Sequence, residues 1–147
     1  MLNAERARHG LLPVPLSRSL GRVADLHVRD LQARPPTGAC NMHSWSAAGP
    51  WTPCCYTSDH AQARCMWSKP GEITGGRYRG SGFEISAGGS GRMTPEVALN
   101  LWRGSTAHYG VIMNQGIWAN STWRAMGVGL SESYAVVWFG TEVDPDR

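Results

Sequence analysis

Two histidines and one glutamate stand out among the residues whose types and spacing could do chemistry. His43 lies in CNMHSW beside Cys40, and His108 begins a predicted short helix in STAHYG, so we expect both on constrained backbone. Glu84 interrupts the otherwise small and apolar segment GFEISAGG. Two histidines and a glutamate are enough ligands for a catalytic zinc that keeps one position open for water. Without a metal, the same groups can form a general acid and base pair.

The alternative for these three residues is a structural hydrogen-bond network at the mouth of a cleft. The sequence contains no H-E-x-x-H, G-x-S-x-G or P-loop pattern, so the well-marked hydrolase and nucleotide-binding mechanisms have no support. Ser44 and Ser105 lie in the two histidine segments and are predicted to be adjacent to the cleft. His27 falls on an apolar helical stripe, which indicates a hydrogen-bonded core histidine and not a ligand.

Four cysteines fall in one short window: Cys40, Cys54, Cys55 and Cys65. Adjacent Cα atoms are about 3.8 Å apart and disulfides prefer ~5.5 to 6 Å, so Cys54 and Cys55 should not pair with each other. Either Cys40 pairs with Cys54 and Cys55 with Cys65, or Cys40 pairs with Cys55 and Cys54 with Cys65. Because the C-x(2 to 4)-C knuckles of a structural zinc site are absent, we favour disulfides and an oxidising, extracellular compartment. The chain shows no signal-peptide pattern, so either a signal has been removed or the disulfide interpretation fails.

The composition predicts one folded domain over residues 1–147. Hydrophobic residues make up 41% and charged residues 17% of the chain, which argues against disorder. No apolar run approaches the ~20 residues of a transmembrane helix. The net charge of +3 comes from arginines scattered along the chain, so no nucleic-acid partner is expected, and we expect a monomer. The seven tryptophans could form a sugar-binding or membrane-facing platform, but core packing is the favoured explanation.

The predicted elements are helices followed by a small antiparallel sheet, which is an α+β class. Helical patterns cover residues 3–9 and 18–33, the second capped by Ser17. Residues 37–82 are rich in Gly, Pro, Cys and Trp and predict a long irregular region that the cysteines fasten. A strand at 82–86, a helix after Thr94, a short helix after Ser105, and a hairpin of strands 125–130 and 134–140 follow.

In its sequence motifs and their order, the chain resembles the CAP superfamily. This superfamily comprises cysteine-rich secretory proteins, antigen 5 and pathogenesis-related proteins, and its common unit is the SCP-like domain. NAERARHGLLPVPLSRSLGRVADLHVRDL is similar to the family's opening, with Asn3 and Arg6 in its N-x-x-R pattern. CNMHSWS supplies the first cavity histidine, His43, and GFEIS supplies the first cavity glutamate, Glu84. ALNLWRGSTAHYGVIMN is similar to a shorter bacterial-type segment that assigns His108 to the second cavity histidine, and AMGVGLSESYAVVWFG resembles the closing strands.

The resemblance implies a usually secreted α-β-α sandwich, in which helices cover a small antiparallel sheet. Two positions depart from the family pattern: Leu2 replaces a frequent histidine, and Arg103 and Gly104 follow Trp102 where a second cavity glutamate is usual. The implied tetrad is therefore a triad here. The four-cysteine block looks like a variant subgroup of the family.

Three functions follow as expectations. The leading one is a secreted CAP domain without established catalysis, whose cleft of His43, Glu84 and His108 binds a divalent metal, such as zinc, or a small ligand. The second is a zinc-dependent hydrolase that uses the same triad, in which the metal activates a water. The third is a module that binds a lipid or a protein partner through the Trp-rich disulfide loop between Cys40 and Trp67.

Overall fold

The computed structural model describes residues 1–146 and contains five helices and three strands in this part of the chain. The α+β prediction is confirmed. In chain order the elements are α1 (Leu2–Arg8), α2 (Arg18–Ala33), α3 (Ala63–Ile73), β1 (Gly82–Gly88), α4 (Pro95–Arg103), α5 (Thr106–Met113), a 3-10 turn (Gly116–Trp118), β2 (Ala125–Leu130) and β3 (Tyr134–Gly140). None of the helices in this range has the length and hydropathy that a membrane span requires.

The strands form one antiparallel sheet in the order β1-β3-β2, so β1 is an edge strand. Side chains alternate along the central strand β3. Val136 and Trp138 pack with residues of α2 and α3, whereas Val137 and Phe139 pack with residues of α1, α4 and α5. The sheet is therefore covered by helices on both faces, and the predicted α-β-α sandwich is confirmed.

Helix α2 lies closely against the sheet and positions one side of the site. The Ser17 hydroxyl caps it by accepting a hydrogen bond from the Leu20 N–H at 2.9 Å, as predicted. Gly127 and Gly129 in β2 permit the approach, because a Cβ at Gly127 would lie 2.0 Å from the Leu20 carbonyl carbon. The predicted apolar stripe, including His27, is buried. Asp30 is also buried, and its carboxylate accepts hydrogen bonds from the Ser46 N–H and hydroxyl, so it anchors the next loop.

The opening segment holds α5 in place. Asn3 exchanges two hydrogen bonds with the Val14 backbone, at 3.0 and 2.9 Å. The buried Arg6 guanidinium donates to the Ile112 carbonyl and to the Asn114 side chain. The N-x-x-R pattern therefore fixes the end of α5, the helix that carries His108.

The prediction of an irregular region from 37 to 82 is wrong in its second half, where α3 lies. Pro70 and Gly71 are helix-breaking residues, and they led to the loop prediction. Pro70 lies in the last turn of α3, and the helix ends three residues after it, at Ile73. Lys69 also obscured the helical pattern, because it is buried and yet charged. Its ammonium group donates to the Thr52 carbonyl at 2.8 Å and pairs with Glu72 at 2.6 Å.

The disulfides connect Cys40 to Cys55 and Cys54 to Cys65, with Cα separations of 4.8 and 6.5 Å. This is the second of the two pairings left open by the sequence. The first bond closes the loop that carries His43, and the second joins that loop to α3. Trp45 and Cys54 also form an antiparallel bridge, so the loop is ordered by backbone pairing as well as by the cysteines.

Candidate functional site

Glu84 is the centre of the candidate site. It lies on β1, pairs in register with Trp138, and faces α2 with 6% of its surface exposed. One carboxylate oxygen contacts Nδ1 of His27, and the other contacts Nδ1 of His43 at 2.7 Å. Both oxygens of the carboxylate are thus engaged by histidine nitrogens.

His27 is the fully buried partner of Glu84. Its ring stacks on the indole of Trp45, with centroids 4.2 Å apart and planes 8° from parallel. Its Nε2 lies 2.9 Å from the carbonyl oxygen of Ser44, which can only accept a hydrogen bond, so Nε2 carries a hydrogen. The prediction of a hydrogen-bonded core histidine at this position is confirmed.

The charge of Glu84 depends on these two histidines. Burial by itself would raise the pKa of Glu84, but His27 first and His43 second outweigh burial and hold that pKa below its ordinary value. Glu84 is therefore ionised at neutral pH, and Nδ1 of each histidine must donate to it. His27, with acceptors at both ring nitrogens, is a fully buried hydrogen-bond partner of Glu84.

His43 is the partner of Glu84 at the cleft, where its side chain is 13% exposed. The backbone N–H of His43 donates a hydrogen bond to the side-chain oxygen of Asn41 at 2.9 Å. The His43 ring lies edge-on to the ring of Tyr56, with centroids 5.3 Å apart. Because Nδ1 donates to Glu84, Nε2 is the ring nitrogen that carries the lone pair in the neutral form of the imidazole. Within residues 1–146 this Nε2 has no hydrogen-bond partner, so it is available to a ligand.

His108 lies in the first turn of α5, where its backbone N–H donates a hydrogen bond to the hydroxyl of Ser105. Burial lowers the pKa of His108, the nearby charge of His43 lowers it further, and Glu84 acts in the opposite direction. The imidazole is therefore neutral at neutral pH. His108 lines the same cavity as His43 and Glu84, but no hydrogen bond joins its ring to either of them in the described part of the chain.

A metal fits this arrangement poorly. Both oxygens of Glu84 are already bound by histidines, so the remaining candidate metal ligands in the cavity are ring nitrogens of His43, His60 and His108. Across residues 1–146, no group of three or more His, Cys, Asp or Glu side chains is placed to hold a metal ion. The three histidines of the cavity are therefore not grouped as the three protein ligands usual for a catalytic zinc.

The cavity has a volume of ≈ 520 Å³, which is within the range typical of ligand pockets. It follows the edge strand β1, with α3 on one side and α5 and the 3-10 turn on the other. Apart from the histidines, Glu84, Tyr56 and a few small or polar groups, its walls are formed by large apolar side chains: Met66, Trp67, Phe83, Ile85, Val111, Ile117 and Trp118. We call this cavity the cleft. Its chemistry is that of a mostly apolar pocket with a few polar groups in its lining.

Several functional neighbours were not identified from the sequence. His27 was placed in the core, but its bond to Glu84 spans 57 positions and has no local signal. Tyr56 lines the cleft and bonds His60 through its hydroxyl at 3.1 Å. Met66 contributes a sulfur that accepts the backbone N–H of Glu84 at 3.3 Å, and it lies in the helix that was predicted as a loop.

The other predicted site residues have structural partners. The carbonyl oxygen of Ser44 accepts a hydrogen bond from Nε2 of His27, and its hydroxyl accepts one from the Tyr56 N–H. Ser105 caps α5. At the place of the missing second glutamate, Arg103 binds Glu5 of α1 instead. The hydrogen bonds and charge of Arg103, with further bonds from Tyr109 and Arg8, lower the pKa of Glu5 to about 2 despite its burial.

Comparisons with known proteins support the fold. No family model matches the sequence, and no curated protein matches it. Among solved structures it is similar to an extracellular protein containing a SCP domain from Bacillus anthracis str. Ames, with a TM-score of 0.64 and 16% sequence identity. The match covers 96% of this chain and 38% of that chain, so the chain spans well under half the length of its neighbour. At this identity the likeness shows the fold alone, and the chain has an SCP-like, or CAP-like, α+β fold.

Proposed function

We propose that this chain is a secreted CAP-type protein that binds a small, largely apolar ligand in the cleft. The observation that carries the proposal is the cleft itself, ≈ 520 Å³ in volume, with aromatic and aliphatic walls and three histidines in its lining, His43, His60 and His108. Pockets of this size with mostly apolar walls and a few placed polar groups are typical of small-molecule sites. Burial of apolar ligand surface supplies the affinity, at roughly 25 cal/mol per Å².

The histidines supply the selectivity. Glu84 fixes the proton of His43 on Nδ1, so the neutral ring offers Nε2 as a hydrogen-bond acceptor. A ligand hydroxyl or amide N–H that reaches this nitrogen is therefore preferred over a ligand that carries only acceptors. Glu84 acts as a positioning residue, because both of its oxygens bind histidines and neither is free for the ligand.

Secretion is part of the proposal. All four cysteines are paired in disulfides, which form and persist in oxidising compartments. The similar SCP-domain protein of Bacillus anthracis is described as extracellular. Both observations support an extracellular location.

Metal binding and zinc-dependent hydrolysis are the alternatives that the geometry favours less, because Glu84 is engaged by two histidines. Zinc calorimetry on metal-stripped protein separates them from the proposal. Zinc binding in the parent that disappears in a His43→Ala, His108→Ala double variant would support a metal site and justify a hydrolase screen.

The neutral fluorophore phenyl-naphthylamine tests the apolar cleft. We expect the parent to bind it, and we expect binding to fall at least about tenfold in Ala63→Trp, because the added ring enters the cleft. Ala33→Trp, at the exposed end of α2, is the matched control and should bind as the parent does. A parent that does not bind the probe, or an Ala63→Trp variant with unchanged affinity, would contradict the proposal.

A further inference from the structure

A second concavity adjoins the cleft and carries positive charge. It has a volume of about 440 Å³, and we call it the arginine groove. Arg64 projects from α3 and Arg79 from the segment before β1, and both line it together with Trp67, Ser68 and Ser81. No aspartate or glutamate lines this groove, so the two guanidinium groups are not neutralised by its walls.

These two arginines differ from others in the chain that have structural partners. Arg77 binds Asp146, and Arg103 binds Glu5. Arg64 and Arg79 are exposed and make no ion pair or side-chain hydrogen bond with residues 1–146. Guanidinium groups bind oxyanions through charge-assisted and often bidentate hydrogen bonds. Their donors are available for this purpose.

Trp67 connects the arginine groove to the cleft. Its side chain lines both concavities, and 48% of the residue is exposed. One face of a large aromatic ring is a surface over which an apolar chain can pass at little cost. A ligand whose apolar part fills the cleft can therefore cross Trp67 and place its other end beside Arg64 and Arg79.

We propose that the arginine groove is an anion subsite for an amphiphilic ligand, whose apolar part lies in the cleft and whose sulfate, phosphate or carboxylate group binds Arg64 and Arg79. This inference rests on the proposed function and extends it from apolar ligands in general to anionic amphiphiles. The shared chemistry is an oxyanion on an apolar chain.

The test compares decyl sulfate with the neutral probe phenyl-naphthylamine. Decyl sulfate is titrated calorimetrically, below its micelle concentration, into the parent and into an Arg64→Gln, Arg79→Gln double variant. We expect about tenfold weaker binding of decyl sulfate to the variant, with the affinity for the neutral probe unchanged. Arg18→Gln, Arg22→Gln is the matched control, because it removes the same charge from exposed positions on α2 and should leave both affinities unchanged.

The outcomes separate the subsite from the cleft. Decyl sulfate that binds the parent and the Arg64, Arg79 variant with equal affinity, or that loses as much affinity in the control, would overturn the subsite. Binding of the neutral probe would still support the cleft as an apolar ligand site. Inorganic sulfate that binds the parent as tightly as decyl sulfate would also overturn it, since the apolar chain would then add nothing. A parent that fails to bind the neutral probe would instead overturn the proposed function.

Discussion

The two faces of the sheet are built from different chemistry. The face covered by α1, α4 and α5 has an apolar core against the sheet, with residues such as Ile112, Val137 and Phe139, and its buried charged residues, Glu5 and Arg6, lie on α1. The face covered by α2 and α3 buries polar groups against the sheet itself: the hydrogen-bonded pair of His27 and Glu84, the carboxylate of Asp30 and the ammonium of Lys69. Buried charges are costly unless they are paired and hydrogen-bonded, so this second face depends on named partners. The candidate site lies at the edge of that polar face.

Removal of the charge of Glu84 should have the largest effect. Glu84→Gln keeps the size of the side chain but removes the buried carboxylate that both His27 and His43 bind, so we expect a loss of about 3 to 5 kcal/mol in the free energy of unfolding. Urea unfolding at pH 7 measures this loss. Glu132→Gln, at an exposed position, is the control and should change stability by less than about 0.5 kcal/mol. A Glu84→Gln variant as stable as the control would show that the polar face does not depend on this carboxylate.

A cavity on the apolar face should have a smaller effect. Ile112→Val removes one methyl group from a fully buried residue, and we expect a loss of about 0.5 to 1.5 kcal/mol. The same urea measurement applies. If Ile112→Val destabilised the chain as much as Glu84→Gln, the contrast between the faces would be lost.

The last prediction concerns the stability of the protein in acid. It tests the carboxylate of Glu5, which lies on the other face of the sheet from Glu84. The pKa of Glu5 falls from 4.5 to about 2 through Arg103, so its stabilising contribution is present above pH 4.5 and is lost as the pH falls toward 2. Glu5→Gln should therefore cost about 1 kcal/mol at pH 6, and the difference from the parent should shrink near pH 2. A difference that stays constant from pH 6 to pH 2 would contradict this account.

The sequence predicts those parts of the fold that have local signals. The periodicity of α2, the caps at Ser17, Thr94 and Ser105, and the hairpin of strands 125–130 and 134–140 all agree with the structure. Helix α3 was missed because Pro70 and Gly71 indicate a break and because the buried Lys69 conceals the apolar face. Its burial depends on partners at Thr52 and Glu72, and tertiary pairs of this kind override local preference.

For the candidate site, residue types could be predicted but their connections could not. The sequence and the family resemblance selected His43, Glu84 and His108, and the structure places all three around one cleft. The bond between His27 and Glu84 joins α2 to β1, and no spacing rule predicts which buried polar groups meet across two elements. That bond is what moves the interpretation from a metal site toward an apolar ligand site.

The most direct test of this account is nitrogen NMR of the histidine rings at pH 7, before and after addition of zinc. We expect hydrogens on both nitrogens of His27, a hydrogen on Nδ1 and none on Nε2 of His43, and no zinc-induced shift of His43 or His108. Zinc-induced shifts of both His43 and His108, with loss of the proton from Nδ1 of His43, would contradict the account and restore the metal site.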